Sequence, residues 1–208
     1  MAEISERTDR VGLSVVAVAI VAGAEALRLV LLSRLQWELG HPEIYAFRGV
    51  LFTLVYLTYA AVLVWRGRTF VRRVTAPLLL LVPWIFDTFW LIASFLMARG
   101  AIDLPVGEWW LWMIRLQMVI TVLCLTAAWG IARRRGILWL VGLVVPGVLM
   151  IGWIGWADRA WETLGGPLVV SDLFMMVSTV AIPLAGCLAC WGVEALSRTA
   201  RPAQVAAA

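Results

Sequence analysis

The sequence lacks lysine, contains one histidine and three cysteines, and carries charge on only 14% of its 208 residues. Without a lysine the chain cannot form the Schiff base that holds retinal in the usual pigments. A single histidine, His41, argues against haem ligation and against metal sites built from several imidazoles. The common motifs for nucleotide binding, acyl transfer and zinc hydrolysis are absent, as is a paired acidic motif for a metal–diphosphate complex. We therefore expect no cofactor and no metal ion.

The scarcity of charge also excludes an ordinary soluble domain, in which about 25% of residues are charged. Hydrophobic residues make up 63% of the chain, and the mean hydropathy is +0.93. In lipid every backbone polar group must be paired within the protein, which favours helices, and the apolar runs here are long rather than alternating. The net charge of +4 does not indicate nucleic-acid binding, because most of the arginines lie at the ends of the apolar runs.

Six apolar runs are long enough to cross the roughly 30 Å of a bilayer core, which takes about 20 helical residues. They cover residues 11–33, 44–65, 74–98, 109–132, 137–157 and 168–193. The sequence therefore predicts an all-α integral membrane protein with a six-helix transmembrane domain over residues 11–197. Residues 1–10 form a cytoplasmic segment in this interpretation, and residues 198–208 form a disordered cytoplasmic tail.

Arginine is concentrated on one side of this arrangement. That side carries Arg7, Arg10, Arg66, Arg68, Arg72, Arg73, Arg133, Arg134, Arg135, Arg198 and Arg201, whereas the other carries Arg34, Arg99 and Arg159 beside six acidic residues. Excess arginine marks the cytoplasm. We expect a multi-pass protein of the cell membrane with both termini inside; the alternative for the N-terminal run is a cleavable signal peptide.

Evenly spaced prolines suggest an internal repeat. Pro42, Pro105 and Pro167 follow the three outer loops at intervals of about 62 residues, and Pro83 and Pro146 are separated by a similar distance. Three helical hairpins of about 62 residues would explain the spacing. The alternative is that any six evenly spaced helices give such offsets.

Ionisable residues inside the apolar runs are costly, and this makes them candidates for function. They are Glu25, Arg28, Arg48, Asp87, Arg115 and Asp172, and all fall in the outer half of their runs. The aromatic residues Trp84, Trp90 and Trp112 lie near them in sequence and predict a shared pocket wall. The structural alternative is that Glu25 pairs with Arg28, and Asp87 with Arg115, only to join helices.

Three functions fit this pattern. An enzyme would use Asp87 and Glu25 as buried carboxylic acids to cyclise or isomerise an isoprenoid-like or lipid-like substrate, with tryptophan faces stabilising a cation. A small transporter or substrate-binding membrane subunit would hold an anionic solute through Arg28, Arg48 and Arg115. An accessory subunit of a membrane complex would use the charges only for assembly. The enzyme is the leading sequence-based hypothesis.

Small residues predict close helix contacts, within the chain or with a partner protein. They form two ladders, Ala22 with Ala26 and Ala181 with Ala185 and Ala189. Cys187 and Cys190 form a C-x-x-C pattern inside the last apolar run, where we interpret them as packing residues rather than as a redox or metal site. The expected partners are membrane lipid and a hydrophobic or anionic small molecule.

Overall fold

The computed structural model describes residues 11–38, 41–103, 108–133, 140–164, 174 and 176–199. Over these residues the regular secondary structure is helical and contains no strand, so the all-α prediction is confirmed for them. The helices are α1 Val11–Glu38, α2 His41–Arg66, α3 Phe70–Leu78, α4 Leu81–Ala98, α5 Glu108–Arg133, α6 Val141–Leu164 and α7 Ile182–Thr199, with a π-helical turn over Val177–Ala181 before α7.

Most of these helices are long and apolar enough to cross a membrane. The candidate spans among the described residues are Leu13–Leu32, Glu43–Arg66, Phe70–Ala98, Leu111–Arg133 and Gly142–Ala160, and Val177–Val193 is a shorter apolar helix. Large apolar side chains are exposed on their outer faces, among them Leu57, Ile85 and Ile151. Such faces suit lipid rather than water, so the chain has the architecture of a multi-pass helical membrane protein.

The third span is interrupted, whereas the sequence predicted one continuous helix. Leu79 and Leu80 form a turn between α3 and α4, and the amide of Leu80 donates to the Pro77 carbonyl at 3.0 Å. Pro83 has no N–H, so it cannot donate the helical bond to the Leu79 carbonyl. That carbonyl instead accepts from Val82 at 3.4 Å. The proline thus accounts for the tighter turn at this point.

Five helices surround the interior of the bundle. Helix α2 packs against α1, α4 and α5, and α7 packs against α1 and α5, while α6 lies outside against α5 and α7. The main cluster of buried apolar side chains fills one half of this interior, with Leu63, Ala76, Trp129 and Cys190 among its members. One half of the bundle is therefore tightly packed.

Buried arginines close the same half at its end. Arg133 donates from Nη1 to the Arg66 carbonyl at 3.1 Å, and Arg66 donates from Nη2 to Ser14 Oγ at 3.2 Å. Both arginines are almost fully buried. These contacts tie the ends of α1, α2 and α5 together, so we call this the arginine end of the bundle.

Glycines allow α7 to approach α5 and α6 closely. A Cβ at Gly186 would lie 2.8 Å from Pro146 Cγ and 2.9 Å from Thr126, and a Cβ at Gly142 would overlap Cys190 Sγ. Cys190 is buried and unoxidised in this contact. Ala181, which belongs to the predicted alanine ladder, is exposed. A role for that ladder in binding a partner stays a prediction.

Candidate functional site

A cavity of about 140 Å³ lies between α1, α2, α4, α5 and the π-helical turn with α7, in the half of the bundle away from the arginine end. Four charged residues line it: Glu25, Arg28, Arg48 and Asp87. The remaining lining is mostly apolar, together with several neutral polar side chains. Charged groups from three different helices thus meet in one enclosed space.

Glu25 and Arg28 form an ion pair within α1. The guanidinium donates from Nε to Oε2 at 2.7 Å and from Nη2 to Oε1 at 2.5 Å, and each residue is 9% exposed. A spacing of three residues places both side chains on one face of the helix, and two parallel bonds fix the planar groups together. The pairing predicted from sequence is present, and it satisfies both charges.

Asp87 is held by two neutral donors from neighbouring helices. Its Oδ2 accepts from the Tyr56 hydroxyl at 2.7 Å, and its Oδ1 accepts from Gln117 Nε2 at 2.5 Å. These two contacts engage both oxygens of the carboxyl group, so Asp87 bridges α2, α4 and α5.

Arg115 does not pair with Asp87, so that part of the structural alternative is wrong. Its Nη2 donates to Asp158 Oδ1 at 2.5 Å, and its guanidinium stands 5.3 Å from the ring centre of Trp112. Helix α6 continues to Leu164, beyond the predicted span end at residue 157, and this extension makes Asp158 a helical neighbour of Arg115. Neither Arg115 nor Trp112 lines the cavity, and Trp112 is 64% exposed.

Of the other two tryptophans predicted for the pocket wall, one lines the cavity and one does not. Trp90 lines the cavity and is nearly buried. Trp84 is not among the lining residues; its Nε1 donates to Thr53 Oγ1 at 3.2 Å and joins α4 to α2. Asp172 lies outside the residues that the structure describes. The cavity therefore brings together Glu25, Arg28, Arg48, Asp87 and Trp90 of the nine residues that the sequence suggested.

Several lining residues were missed because they are polar without being charged. They are Tyr56, Gln117, Thr121 and Ser178. Gln117 carried a usable signal, since a glutamine amide in an apolar run needs a partner as much as a charged group does. The sequence gives no such signal for Ser178, because the direction of its side chain depends on the π-helical turn.

Four polar side chains at the cavity are left without a protein partner among the described residues. Arg48 forms no hydrogen bond or ion pair, and the same holds for the hydroxyls of Ser94, Thr121 and Ser178. Ser178 is fully buried. By contrast, Thr126, buried elsewhere in the bundle, donates to the carbonyl one turn earlier. Buried polar groups normally have partners, so the hydroxyl of Ser178 is available to a bound molecule. The half-buried hydroxyls of Ser94 and Thr121 and the exposed guanidinium of Arg48 can bind the same molecule.

Arg48 is the one exposed residue among the described residues that line the cavity, so we infer that the cavity opens beside it. This residue lines the cavity and is also exposed at the bundle surface, whereas Arg28 and Glu25 behind it are buried. Because the arginine end is closed, a molecule would enter from the Arg48 side. An anion would meet the unpaired guanidinium first and the paired charges afterwards.

No protein-family model matches this chain, and no curated protein or solved structure matches it either. Among the described residues, no three histidine, cysteine or carboxylate side chains come together in a way that could hold a metal ion. The chemistry of the cavity is therefore the basis for a functional assignment.

Proposed function

We propose that this chain is a transporter or substrate-binding membrane subunit that holds an anionic solute in the cavity. The unpaired guanidinium of Arg48 carries the proposal. Of the two arginines in the cavity, Arg28 is neutralised by Glu25, while Arg48 has no hydrogen-bonded partner among the described residues. A bound anion would supply the partner, and the hydroxyls of Ser94, Thr121 and Ser178 offer neutral donors in the same cavity.

The acid-catalysed enzyme receives less support from the same geometry. A general acid must present an oxygen to its substrate, but both oxygens of Asp87 are already hydrogen-bonded to Tyr56 and Gln117. Two of the three tryptophans expected to stabilise a cation, Trp84 and Trp112, do not line the cavity. The accessory-subunit hypothesis is supported by Arg115–Asp158, which does join helices, yet it leaves the cavity and its unpaired groups without a purpose.

We further propose that the chain lies in the cell membrane with the arginine end in the cytoplasm and the cavity in the outer half of the bilayer. The supporting observation is the excess of arginine near the ends of α2 and α5. Single cysteines at positions 72 and 103, introduced after the three native cysteines are replaced, test this topology. A membrane-impermeant maleimide should label position 103 in intact cells and position 72 only after permeabilisation. The reverse pattern would refute the orientation.

Arg48→Gln tests the proposed binding site. A charge-assisted hydrogen bond contributes about 1.5–3 kcal/mol, so removal of the charge should weaken anion binding by roughly 10- to 100-fold. The measurement is calorimetric titration of the protein in neutral-lipid nanodiscs with acetate, inorganic phosphate and decanoate. Arg115→Gln is the matched control, because that arginine is paired outside the cavity. The Arg115→Gln variant should bind each anion with the affinity of the wild-type protein. If no probe binds in an Arg48-dependent way, the proposed function fails.

Asp87→Asn tests the proposed pattern of charges around the bound anion, in the same titration. Asparagine keeps the shape and can still accept from Tyr56, but it removes a negative charge near Arg48. The Asp87 carboxylate would repel an anion bound at Arg48. Its removal should therefore tighten anion binding by roughly 3- to 30-fold, corresponding to about 0.7–2 kcal/mol at an effective dielectric constant near 20. Weaker binding by Asp87→Asn would show that Asp87 helps to hold the ligand and would count against the proposed charge pattern.

A further inference from the structure

The cavity is elongated along the bundle axis. On α1 its lining runs from Arg28 to Val18, and on α2 it runs from Arg48 to Tyr59. Ten or eleven helical residues correspond to about 15 Å at 1.5 Å per residue. A small inorganic anion would occupy only one end of a space with this length.

Polarity changes from one end of the cavity to the other. By their positions along the helices, Arg28, Arg48 and Ser94 lie away from the arginine end. At the other end of the lining, the deep end, Val18 and Cys187 belong to the main apolar cluster, and Leu125 and Leu184 pack against it. Tyr59 reaches this end too, but its hydroxyl donates to the Leu125 carbonyl at 2.7 Å and is therefore satisfied. The deep end presents an apolar surface that cannot bind a second polar group.

The volume of the cavity limits how many acyl chains of a ligand can enter it. The cavity holds about 140 Å³. That is close to the size of an engineered cavity in another protein, of roughly 150 Å³, which binds benzene. A phospholipid with two acyl chains would not fit, whereas one extended chain follows the length of the cavity. The space therefore matches a molecule with one narrow apolar part.

We propose that the solute is a single-chain anionic amphiphile whose head group binds Arg48 and whose tail points toward Cys187. This inference rests on the proposed function and specifies its substrate class. The head is a carboxylate or a phosphate monoester, since either accepts two bonds from one guanidinium. The tail supplies apolar contacts that the side chains at the deep end otherwise lack. The length of the tail is set by the distance from Arg48 to the floor formed by Leu184 and Cys187.

The test is a chain-length series of linear alkanoates and alkyl phosphates, titrated against the protein in neutral-lipid nanodiscs. Affinity should rise about fourfold per added methylene, equivalent to about 0.8 kcal/mol. It should level off at no more than roughly ten carbons, because the cavity is about 15 Å long. Arg48→Gln should lower the affinity of every member by a similar factor and leave the increment per methylene unchanged. The better of the two series identifies the head group.

Two cavity-filling variants locate the tail. Leu184→Trp and Val21→Phe both add volume at the apolar part of the lining, from α7 and α1 respectively. Each should shorten the preferred chain by roughly two to four carbons and should weaken the binding of decanoate far more than the binding of acetate. Two variants from different helices keep the test informative if one of them fails to fold, which size-exclusion chromatography would reveal.

The outcomes distinguish this inference from the proposed function. If acetate or inorganic phosphate binds as tightly as decanoate through Arg48, the site is a simple anion site and the amphiphile is excluded. If affinity rises with chain length but neither folded filling variant changes the preferred length, the tail lies elsewhere and the inference is overturned. If no anion of any length depends on Arg48, the proposed function itself fails.

Discussion

Glu25→Gln is expected to lower the free energy of unfolding by about 3–5 kcal/mol, since it leaves the buried Arg28 guanidinium without its carboxylate. The neutral amide retains the shape of the side chain, so loss of packing would contribute little. Adding Arg28→Gln removes the uncompensated charge and should recover most of the loss. The measurement is reversible unfolding of the detergent-solubilised single and double variants, with melting temperature as a second readout.

Asp103→Asn is the control for this substitution, because Asp103 is exposed in the loop after α4 and its replacement should leave stability unchanged. Polar contacts between membrane helices often contribute only about 0.6 kcal/mol. A loss of that size for Glu25→Gln would indicate that water reaches the pair and that the cavity is wetter than its lining suggests. No recovery in the double variant would contradict the ion pair altogether.

Gly142→Ala is expected to destabilise the protein by about 1–3 kcal/mol, the usual cost of adding a methyl group to a filled contact. The new Cβ would overlap Cys190 Sγ, and the Gly186 carbonyl oxygen lies 3.4 Å away. Relief requires either rotation of the buried Cys190 sulfur out of this contact or a shift of α6 relative to α7. Cys190→Ala removes the sulfur and should restore part of the stability in the double variant.

Gly152→Ala provides the matched control on the same helix, since no heavy atom lies within 4 Å of the position that its Cβ would take. An alanine in a helix is favoured over glycine by roughly 0.5–1 kcal/mol, so this variant should be neutral or slightly more stable. Equal behaviour of the two alanine variants would show that α6 and α7 are not packed as closely as the Gly142 contact implies.

The helices could be predicted because lipid imposes one requirement on them. A backbone in hydrocarbon must satisfy its own hydrogen bonds, so each long apolar run indicates a helix. Hydropathy predicts the ends of the helices less well than their presence, as α6 shows. Its last residues, from Asp158 to Leu164, are more polar than the run before them, but helical geometry continues without regard to polarity. The break at Leu79 required attention to Pro83 rather than to apolar character.

The candidate site was only partly readable from sequence. A spacing of three residues linked Glu25 to Arg28 without any knowledge of the tertiary fold. Asp87 offers no such local partner, and the alternative pairing with Arg115, the nearest opposite charge by depth, is not formed. Its actual donors, Tyr56 and Gln117, come from two other helices, and their positions depend on how those helices are rotated. Hydropathy gives depth in the membrane but not this rotation.

The π-helical turn before α7 shifts the angular phase of that helix. The amide of Ile182 bonds to the carbonyl of Val177, five residues earlier, so the turn contains one residue more than an α-helix would. One α-helical residue corresponds to about 100° of rotation. In evolutionary terms, loss of a single codon in this stretch would restore regular geometry and turn the preceding backbone by that angle. Cys187 would keep its place at the cavity floor, while Ser178 would be carried away from the cavity, so this polar group depends on chain length as well as on residue type.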